Sequence, residues 1–205
     1  MKLYYSPGAC SLATRIVLHE AGLDADYERV DLKAKLTERG ADYLALNPAG
    51  SVPLLVLDDG QAVTENVAIL TLLAEMAPKL GNGGPLGQIR LIEMLSFLST
   101  ELHIAFKPYF HGAEGEELAE AAEAVGRRLD LIADRMVDPY LFGSHFSVAD
   151  AYLFVMLRWG HGFHIPLPPS LGELYHRILE RDTVRQSIVE EALPASAPAG
   201  AMAGG

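Results

Sequence analysis

The spacing of apolar and polar residues predicts strands at the start of the chain and long helices after them. Residues 2–5 form a short predicted strand, and apolar positions recur at helical spacing over residues 10–21, with Gly22 placed as a C-cap. Residues 27–32 alternate like a second strand. This order of strand, helix and strand is a βαβ unit, which predicts that the two strands pair in parallel.

A hairpin and a further helix are predicted next. Residues 54–57 and 61–63 are short strands joined by Asp-Asp-Gly, and glycine accepts the positive φ that a tight turn needs. Pro53 stands where the first of these strands begins, a position that needs no ladder donor. A helix opens at residues 64–66 and continues through Leu73. The order βαβ then ββα is too short for a doubly wound dinucleotide fold, and no GxGxxG follows the first strand.

The second half of the chain has a different pattern. Gly- and Pro-rich residues 78–85 predict a domain boundary. Helical periods follow over residues 86–110, 116–136, 146–159, 171–181 and 184–193. The predicted fold class is therefore α/β plus all-α. We expect a first domain over 1–78, a linker over 79–85, a helical domain over 86–193 and a disordered tail over 194–205.

Composition and charge narrow the possible partners and the compartment. The formal net charge of −11 argues against nucleic acid as a partner, since phosphate binding needs clustered Lys and Arg. No apolar run is long enough to span a bilayer, and no secretory h-region follows Met1, so we expect a cytoplasmic protein without a membrane partner. The single cysteine, Cys10, excludes an internal disulfide. His161 and His164 lack a third nearby ligand, so no metal site is expected.

Two stretches are candidates for a binding site. Cys10 begins a helix, where the macrodipole and free N–H groups favour a thiolate, and Ser11 beside it can donate a hydrogen bond. The alternative is that Cys10 is a small buried filler. The backbone of Val52 can pair with an extended peptide-like ligand, and the helix start at Glu65 and Asn66 can hold a carboxylate and an amine. The alternative here is an ordinary hairpin with a capped helix.

Two further patterns concern the helical part. Ser96, Ser99, His103 and Lys107 are spaced three or four residues apart, which predicts one polar ridge that can face the cleft between the domains. The alternative is a solvated face. The run from Ser147 to Asp150 fits a capping box, a folding signal to which no chemistry is assigned.

Five segments in this order resemble a cytosolic-type glutathione S-transferase of the bacterial beta class. They are KLYYSPGACSLATRIVLHEAG, LNPAGSVPLLVLDDG, TENVAIL, STELH and FSVADAYLFVMLRW, and the resemblance covers about residues 1–193. It implies a thioredoxin-like N-terminal domain, an all-helical C-terminal domain that forms the electrophile pocket, and a homodimer. It also implies glutathione as co-substrate, small hydrophobic electrophiles as second substrates, and no metal.

The resemblance also implies roles for residues near the thiol. Cys10 matches the cysteine close to the glutathione sulfur, where it can form a mixed disulfide, and His103 matches a histidine near the thiol. Hydrogen bonds from Cys10 and Ser11 would raise the thiolate fraction. Val52 matches the residue whose backbone pairs with the cysteinyl part of glutathione, and Pro53 matches a cis-proline.

The resemblance also implies which residues bind the two ends of glutathione. Glu65 and Asn66 match the pair that holds the γ-glutamyl end, where many relatives have Ser at the second position. Relatives often have Lys after the histidine, whereas this chain has Ile104, so Lys107 is expected to supply the charge for the glycyl carboxylate. Ser96 replaces an Asn of some relatives. The electrophile is expected against Phe106, Phe110, Trp159 and Phe163.

Four functions remain open from the sequence. The first is conjugation of the glutathione thiolate to electrophiles. The second is a glutathione-dependent thiol–disulfide reaction through Cys10. The third is a non-catalytic relative that acts as a binding or regulatory protein, although the presence of Cys10, Glu65 and His103 argues against it. The fourth is an isomerase or dehalogenase on the same scaffold.

Overall fold

A computed structural model describes residues 1–194, and the tail expected from residue 194 onward lies, apart from Pro194, outside them. Five strands form one mixed sheet in the order β3-β2-β1-β4-β5. They are β1 (Lys2–Tyr5), β2 (Asp26–Asp31), β3 (Leu36–Thr37), β4 (Leu54–Val56) and β5 (Ala62–Thr64). β1 and β2 pair in parallel, as the βαβ pattern predicts, and the other pairs are antiparallel.

Helices of the N-terminal part pack against the sheet. They are α1 (Ser11–Ala21), α2 (Tyr43–Leu46) and α3 (Asn66–Met76), followed by a 3₁₀ turn, Pro78–Leu80. Cys10 is the N-cap of α1, and Gly22 ends the helix at a φ of 69° in the left-handed region. The predicted C-cap is therefore confirmed. A thioredoxin-like mixed sheet with helices is thus followed by an all-helical part.

The remaining chain is helical. The helices are α4 (Gly87–Phe97), α5 (His103–Ala105), α6 (Lys107–Phe110), α7 (Gly115–Ala133), α8 (Val148–Gly162), α9 (Pro169–Leu179) and α10 (Asp182–Glu190). The capping box at the start of α8 is confirmed, because the Ser147 and Asp150 side chains each bond the other residue's backbone N–H. Nearly every side chain of α8 is buried, and this helix packs against α1, α3 and α4. The sheet part and the helical part therefore share one apolar core.

Two features differ from the sequence-based expectation. The short strand β3 is absent from the predicted order, since two residues are too few for an alternating pattern. The helix predicted over 86–110 is divided into α4, a π-helical stretch over Leu98–Leu102, α5 and α6. A π-helical turn contains more residues than an α-helical turn, so the side chains after Leu102 point in other directions than a regular helix would give.

Residues 1–194 include no helix with both the length and the apolar character needed to cross a membrane. The same residues contain no group of three or more His, Cys, Asp and Glu side chains arranged to hold a metal ion.

Candidate active site

A cavity of about 320 Å³ lies between the loops of the sheet and the helical part. The loop before α1, the loop before β4 and the start of α3 form one side, and α5, α6 and α8 form the other. Nine of the predicted site residues line it. They are Cys10, Val52, Pro53, Glu65, Asn66, His103, Lys107, Phe110 and Trp159.

The Cys10 thiol lies at the inner end of the cavity and donates to the Val52 carbonyl oxygen at 3.5 Å. Burial raises the pKa of Cys10 to about 12, and the backbone N–H groups of Cys10 and Ser11 oppose that rise without cancelling it. The helix N-terminus was expected to favour a thiolate. The helix-end N–H groups do favour the thiolate, as expected, but desolvation of the charged form outweighs them. Cys10 is a protonated thiol at neutral pH.

The loop before β4 presents Val52 to the cavity. The Val52–Pro53 peptide bond is cis, as the resemblance implies. Two hydrogen bonds hold this loop in place. The Tyr43 hydroxyl and the Asn47 amide both donate to the Ser51 carbonyl oxygen, at 2.7 and 2.8 Å. These bonds fix the position of the neighbouring Val52 backbone without using its own polar groups.

Glu65 and Asn66 have different surroundings at the start of α3. Glu65 is exposed and has a φ of 67°, a region that non-glycine residues rarely adopt. The Asn66 side chain is buried and engaged inside the protein: its Nδ2 donates to the Cys10 carbonyl oxygen at 2.9 Å, and its Oδ1 accepts from the Thr14 hydroxyl at 3.0 Å. Asn66 therefore joins α3 to α1, and its backbone N–H, one of the free donors of the helix end, is what it offers to a ligand.

His103 lies on the opposite side of the cavity from Glu65 and Asn66. Its Nδ1 lies 3.3 Å from the Tyr152 hydroxyl, and its ring packs on Trp159 at a centroid distance of 4.9 Å. Burial, and to a smaller extent the Lys107 charge, lowers the pKa of His103 to about 4. The imidazole is therefore neutral at physiological pH.

Contacts with the last helix fix the loop before α1. Trp159 Nε1 donates to the Gly8 carbonyl oxygen at 2.9 Å, and the Gly8 N–H donates to the Glu191 carboxylate at 2.9 Å. Glu191 also accepts from Arg15 Nε at 3.1 Å, and the Arg15 guanidinium pairs with Glu190 at 2.8 Å. The end of α10 thus connects to the loop that carries Cys10.

Four predicted site residues do not line the cavity. Ser11 is buried and its hydroxyl donates to the Ser6 carbonyl oxygen at 3.3 Å, so its contribution near Cys10 comes from its backbone N–H. Ser96 lies in a groove between α3 and α4, because the π-helical stretch separates its direction from that of His103. The expected ridge is therefore confirmed for Ser99, His103 and Lys107, which line the cavity, and is wrong for Ser96.

The other two residues that do not line the cavity, Phe106 and Phe163, pack against its aromatic side. Phe106 is fully buried and packs edge-on against Trp159 at 5.5 Å. Phe163 packs against Tyr109 at 4.6 Å. Both stabilise the aromatic side of the cavity without forming its surface.

Sequence reasoning missed Tyr152 as a cavity residue. Tyr152 lies 49 residues from His103 along the chain, so no local spacing connects them. The available signal was a tyrosine within the strongly apolar α8, because a buried hydroxyl needs a hydrogen-bond partner.

Comparison with known proteins places this geometry in a family. The models described as glutathione S-transferase N-terminal domain and C-terminal domain match residues 8–76 and 97–182. Glutathione S-transferase GstA of Escherichia coli O157:H7 is 39% identical over 200 residues, which cover 94% of this chain and 100% of the relative. The chain belongs to the glutathione S-transferase family.

Solved structures of glutathione S-transferases agree with this assignment. The bacterial beta-class enzyme of Sphingomonas chungbukensis is 43% identical with a TM-score of 0.85, over 95% of this chain and 100% of that chain. A sphingomonad glutathione S-transferase in complex with glutathione is 42% identical with a TM-score of 0.86, over the same shares. The resemblance to the bacterial beta class and the expected fold class are confirmed.

Proposed function

We propose that this glutathione S-transferase family member conjugates the thiolate of glutathione to small hydrophobic electrophiles. The observation that carries the proposal is that Cys10, Val52, Glu65 and His103 surround one cavity in a chain of this family. These residues offer a helix end, an extended backbone segment, a carboxylate and a neutral imidazole, which together match the groups of a γ-linked tripeptide.

We infer one orientation of glutathione in the cavity. Its γ-glutamyl end lies at the start of α3, where the exposed Glu65 carboxylate attracts the amine and the backbone N–H groups receive the carboxylate. Its cysteinyl backbone pairs with Val52, which brings the sulfur next to Cys10 and His103. Lys107 lines the opposite wall, where it supplies a positive charge for the glycyl carboxylate in place of the lysine that Ile104 replaces.

The electrophile binds beside the sulfur on the helical side. Phe110 and Trp159 supply an apolar surface there, and Phe106 and Phe163 hold those rings in place. An aryl halide or an activated alkene can pack on these rings while the thiolate adds to its electrophilic carbon. The aryl adduct then releases the halide ion to solvent, and the alkene adduct takes a proton from water. The helix-end donors and His103 stabilise the thiolate, which is the nucleophile.

A second function is favoured by one contact. The Cys10 thiol lies inside the cavity and touches Val52, so it stands where the sulfur of glutathione is expected. A mixed disulfide between glutathione and a second thiol can exchange with Cys10: the Cys10 sulfur bonds the glutathione sulfur, the old disulfide bond breaks and the second thiol is released. A further glutathione then reduces the Cys10–glutathione disulfide and leaves as oxidised glutathione.

The proposed assembly is a homodimer in the cytoplasm. Val67, Leu72 and Ile92 line a shallow groove between α3 and α4 that borders Glu65, and Ile89 of α4 is 61% exposed. A second copy of the chain would cover these apolar residues. We also propose the domain limits expected from the sequence, with 1–78 binding glutathione and 86–193 supplying the electrophile pocket.

Titration calorimetry measures the binding of glutathione. Conjugation assays with a panel of aryl halides and activated alkenes test the reaction. We expect glutathione to bind and its conjugation to exceed the uncatalysed rate, and Glu65→Ala to weaken that binding by about tenfold, since a charged hydrogen bond is lost. Glu120→Ala is the control, because Glu120 is an exposed carboxylate of α7 that does not line the cavity. A wild-type protein that binds no glutathione contradicts the proposal.

A further inference from the structure

The Tyr152 hydroxyl contacts His103 within the cavity. It lies 3.3 Å from His103 Nδ1, and the tyrosine is 1% exposed. Neutral imidazole carries one N–H and one acceptor nitrogen, so this contact decides which nitrogen holds the proton. The direction of the hydrogen bond therefore determines what the other nitrogen, Nε2, offers to a ligand.

The Asn66 amide and the Ser99 hydroxyl line the cavity together with Tyr152. The Asn66 amide is fixed in orientation, because its Nδ2 donates to the Cys10 carbonyl oxygen and its Oδ1 accepts from Thr14. An amide nitrogen carries two hydrogens, so one is left for Tyr152. Burial raises the pKa of Tyr152, and hydrogen bonds from Ser99 and Asn66 to its oxygen oppose that rise. A phenol hydroxyl donates more readily than it accepts, and the unprotonated nitrogen of a neutral imidazole is a good acceptor, so at 3.3 Å the favoured direction is from the Tyr152 hydroxyl to His103 Nδ1.

We propose that Tyr152 is a positioning residue, which donates to His103 Nδ1 and so holds the proton of the ring on Nε2. Nε2–H is then a hydrogen-bond donor to the glutathione sulfur, and His103 does not act as a base. The thiol proton passes to solvent water, and a lone pair of the resulting thiolate accepts the Nε2–H. The inference rests on the proposed function, since it concerns the sulfur bound in that cavity.

The other groups facing His103 agree with a neutral donor. Trp159 covers one side of the ring, and Lys107 adds a positive charge that disfavours a second proton. Cys10, which also lines the cavity, is a protonated thiol. Glu65 is the carboxylate that lines the cavity, and it lies at its exposed rim.

The first test reads the tautomer directly, without glutathione. Nitrogen-15 chemical shifts of the His103 ring in the full chain are measured by NMR for the wild type and for Tyr152→Phe. We expect the Nε2–H form in the wild type and a mixture of tautomers in the variant. Tyr175→Phe is the matched control, because it removes another buried hydroxyl of the helical part, and it leaves the wild-type tautomer. An Nδ1–H wild type, or an unchanged tautomer in Tyr152→Phe, overturns the inference.

The second test measures the bound thiol by its thiolate absorbance against pH. We expect Tyr152→Phe to raise the thiol pKa of bound glutathione by about half a unit to one unit and to lower kcat/KM by about three- to tenfold, as for one weakened hydrogen bond to a charge. His103→Gln, whose amide nitrogen reaches the Nε2 position, retains more activity than His103→Asn. If the wild type lowers the thiol pKa of bound glutathione below that of free glutathione, and Tyr152→Phe lowers it equally, the inference fails while the proposed function stands. If the wild type binds no glutathione, the proposed function fails, and the tautomer measurement still decides the inference.

Discussion

The Cys10 thiol donates to the Val52 carbonyl oxygen at 3.5 Å, so the protein's own sulfur uses a backbone group that the proposed ligand also needs. Glutathione must displace this contact to pair fully with Val52. Cys10 is partly buried, and desolvation keeps its thiol protonated although Cys10 caps α1. Its reactivity should therefore depend on whether a ligand opens the cavity.

Alkylation of Cys10 in the ligand-free protein is expected to be slow. With a pKa of about 12, its thiolate fraction at neutral pH is about three thousand times smaller than that of a free cysteine of pKa about 8.5. Mass spectrometry after timed iodoacetamide treatment measures the rate at this single cysteine. The same chain in denaturant is the control and should react like a free thiol. Equal rates in the two states would contradict the buried, protonated thiol.

Replacement of Cys10 by alanine separates the two proposed activities. Conjugation is expected to stay within about threefold of the wild-type kcat/KM, because the nucleophile is the sulfur of glutathione. Reduction of a mixed disulfide of glutathione is expected to vanish, because the attacking thiol is gone. Parallel assays on one preparation measure both. Loss of both activities in a folded Cys10→Ala protein would refute this division.

Removal of the Lys107 charge is expected to raise the pKa of His103. Burial lowers that pKa most and Lys107 lowers it further, so Lys107→Ala should move it part of the way back toward about 6.5. NMR titration of the His103 ring protons gives the value. Lys79→Ala, which removes an exposed lysine of the 3₁₀ turn, should leave it unchanged. A shift of equal size in both variants would show that overall charge, not Lys107, is responsible.

Glu191 and Glu190 both pair with Arg15, but their burial differs. The Glu191 side chain is fully buried and the Glu190 side chain is 34% exposed. Glu191→Ala leaves the Arg15 charge and the Gly8 N–H without that partner, so we expect a loss of about 3 kcal/mol in unfolding free energy. Glu190→Ala should cost about 1 kcal/mol or less. Urea denaturation compares the two variants, and equal losses would argue against the role of burial.

The stability of the protein should fall with rising pH through Glu191. Burial raises the pKa of Glu191 to about 7, against about 4.3 in an unfolded chain. Folding therefore favours the protonated carboxyl, and this contribution is complete below pH about 4.3 and lost as pH rises through about 7. Relative to Glu191→Gln, the unfolding free energy of the wild type should decrease over that interval. A difference that grows with pH instead would mean that Arg15 dominates.

Local patterns were sufficient for much of the fold and part of the site. Alternation and helical spacing predicted β1, α1, β2 and the hairpin, since each buries one continuous face against a single core. Short motifs placed Cys10, Val52 and Glu65 at ends of elements that meet at one cavity. The capping box could be predicted because its two partners are three residues apart.

Contacts between distant segments could not be predicted. Asn66 and Cys10 are 56 residues apart, and the buried amide was taken for a ligand group because nothing nearby in sequence indicates its two partners. The link between Glu191 and Gly8 spans 183 residues. These bonds depend on how α1, α3 and α10 pack, which a single sequence does not specify.

The π-helical stretch over Leu98–Leu102 makes the number of residues in this segment as important as their identity. A π-helical turn holds one more residue than an α-helical turn, so deletion of one residue here would be absorbed by a return to regular α-helix, and His103 and Lys107 would keep their direction. Insertion of one residue would instead rotate both side chains by about 100°, away from the cysteine across the cavity. A relative with the same site residues but one residue more in this segment is therefore not expected to be an equivalent catalyst.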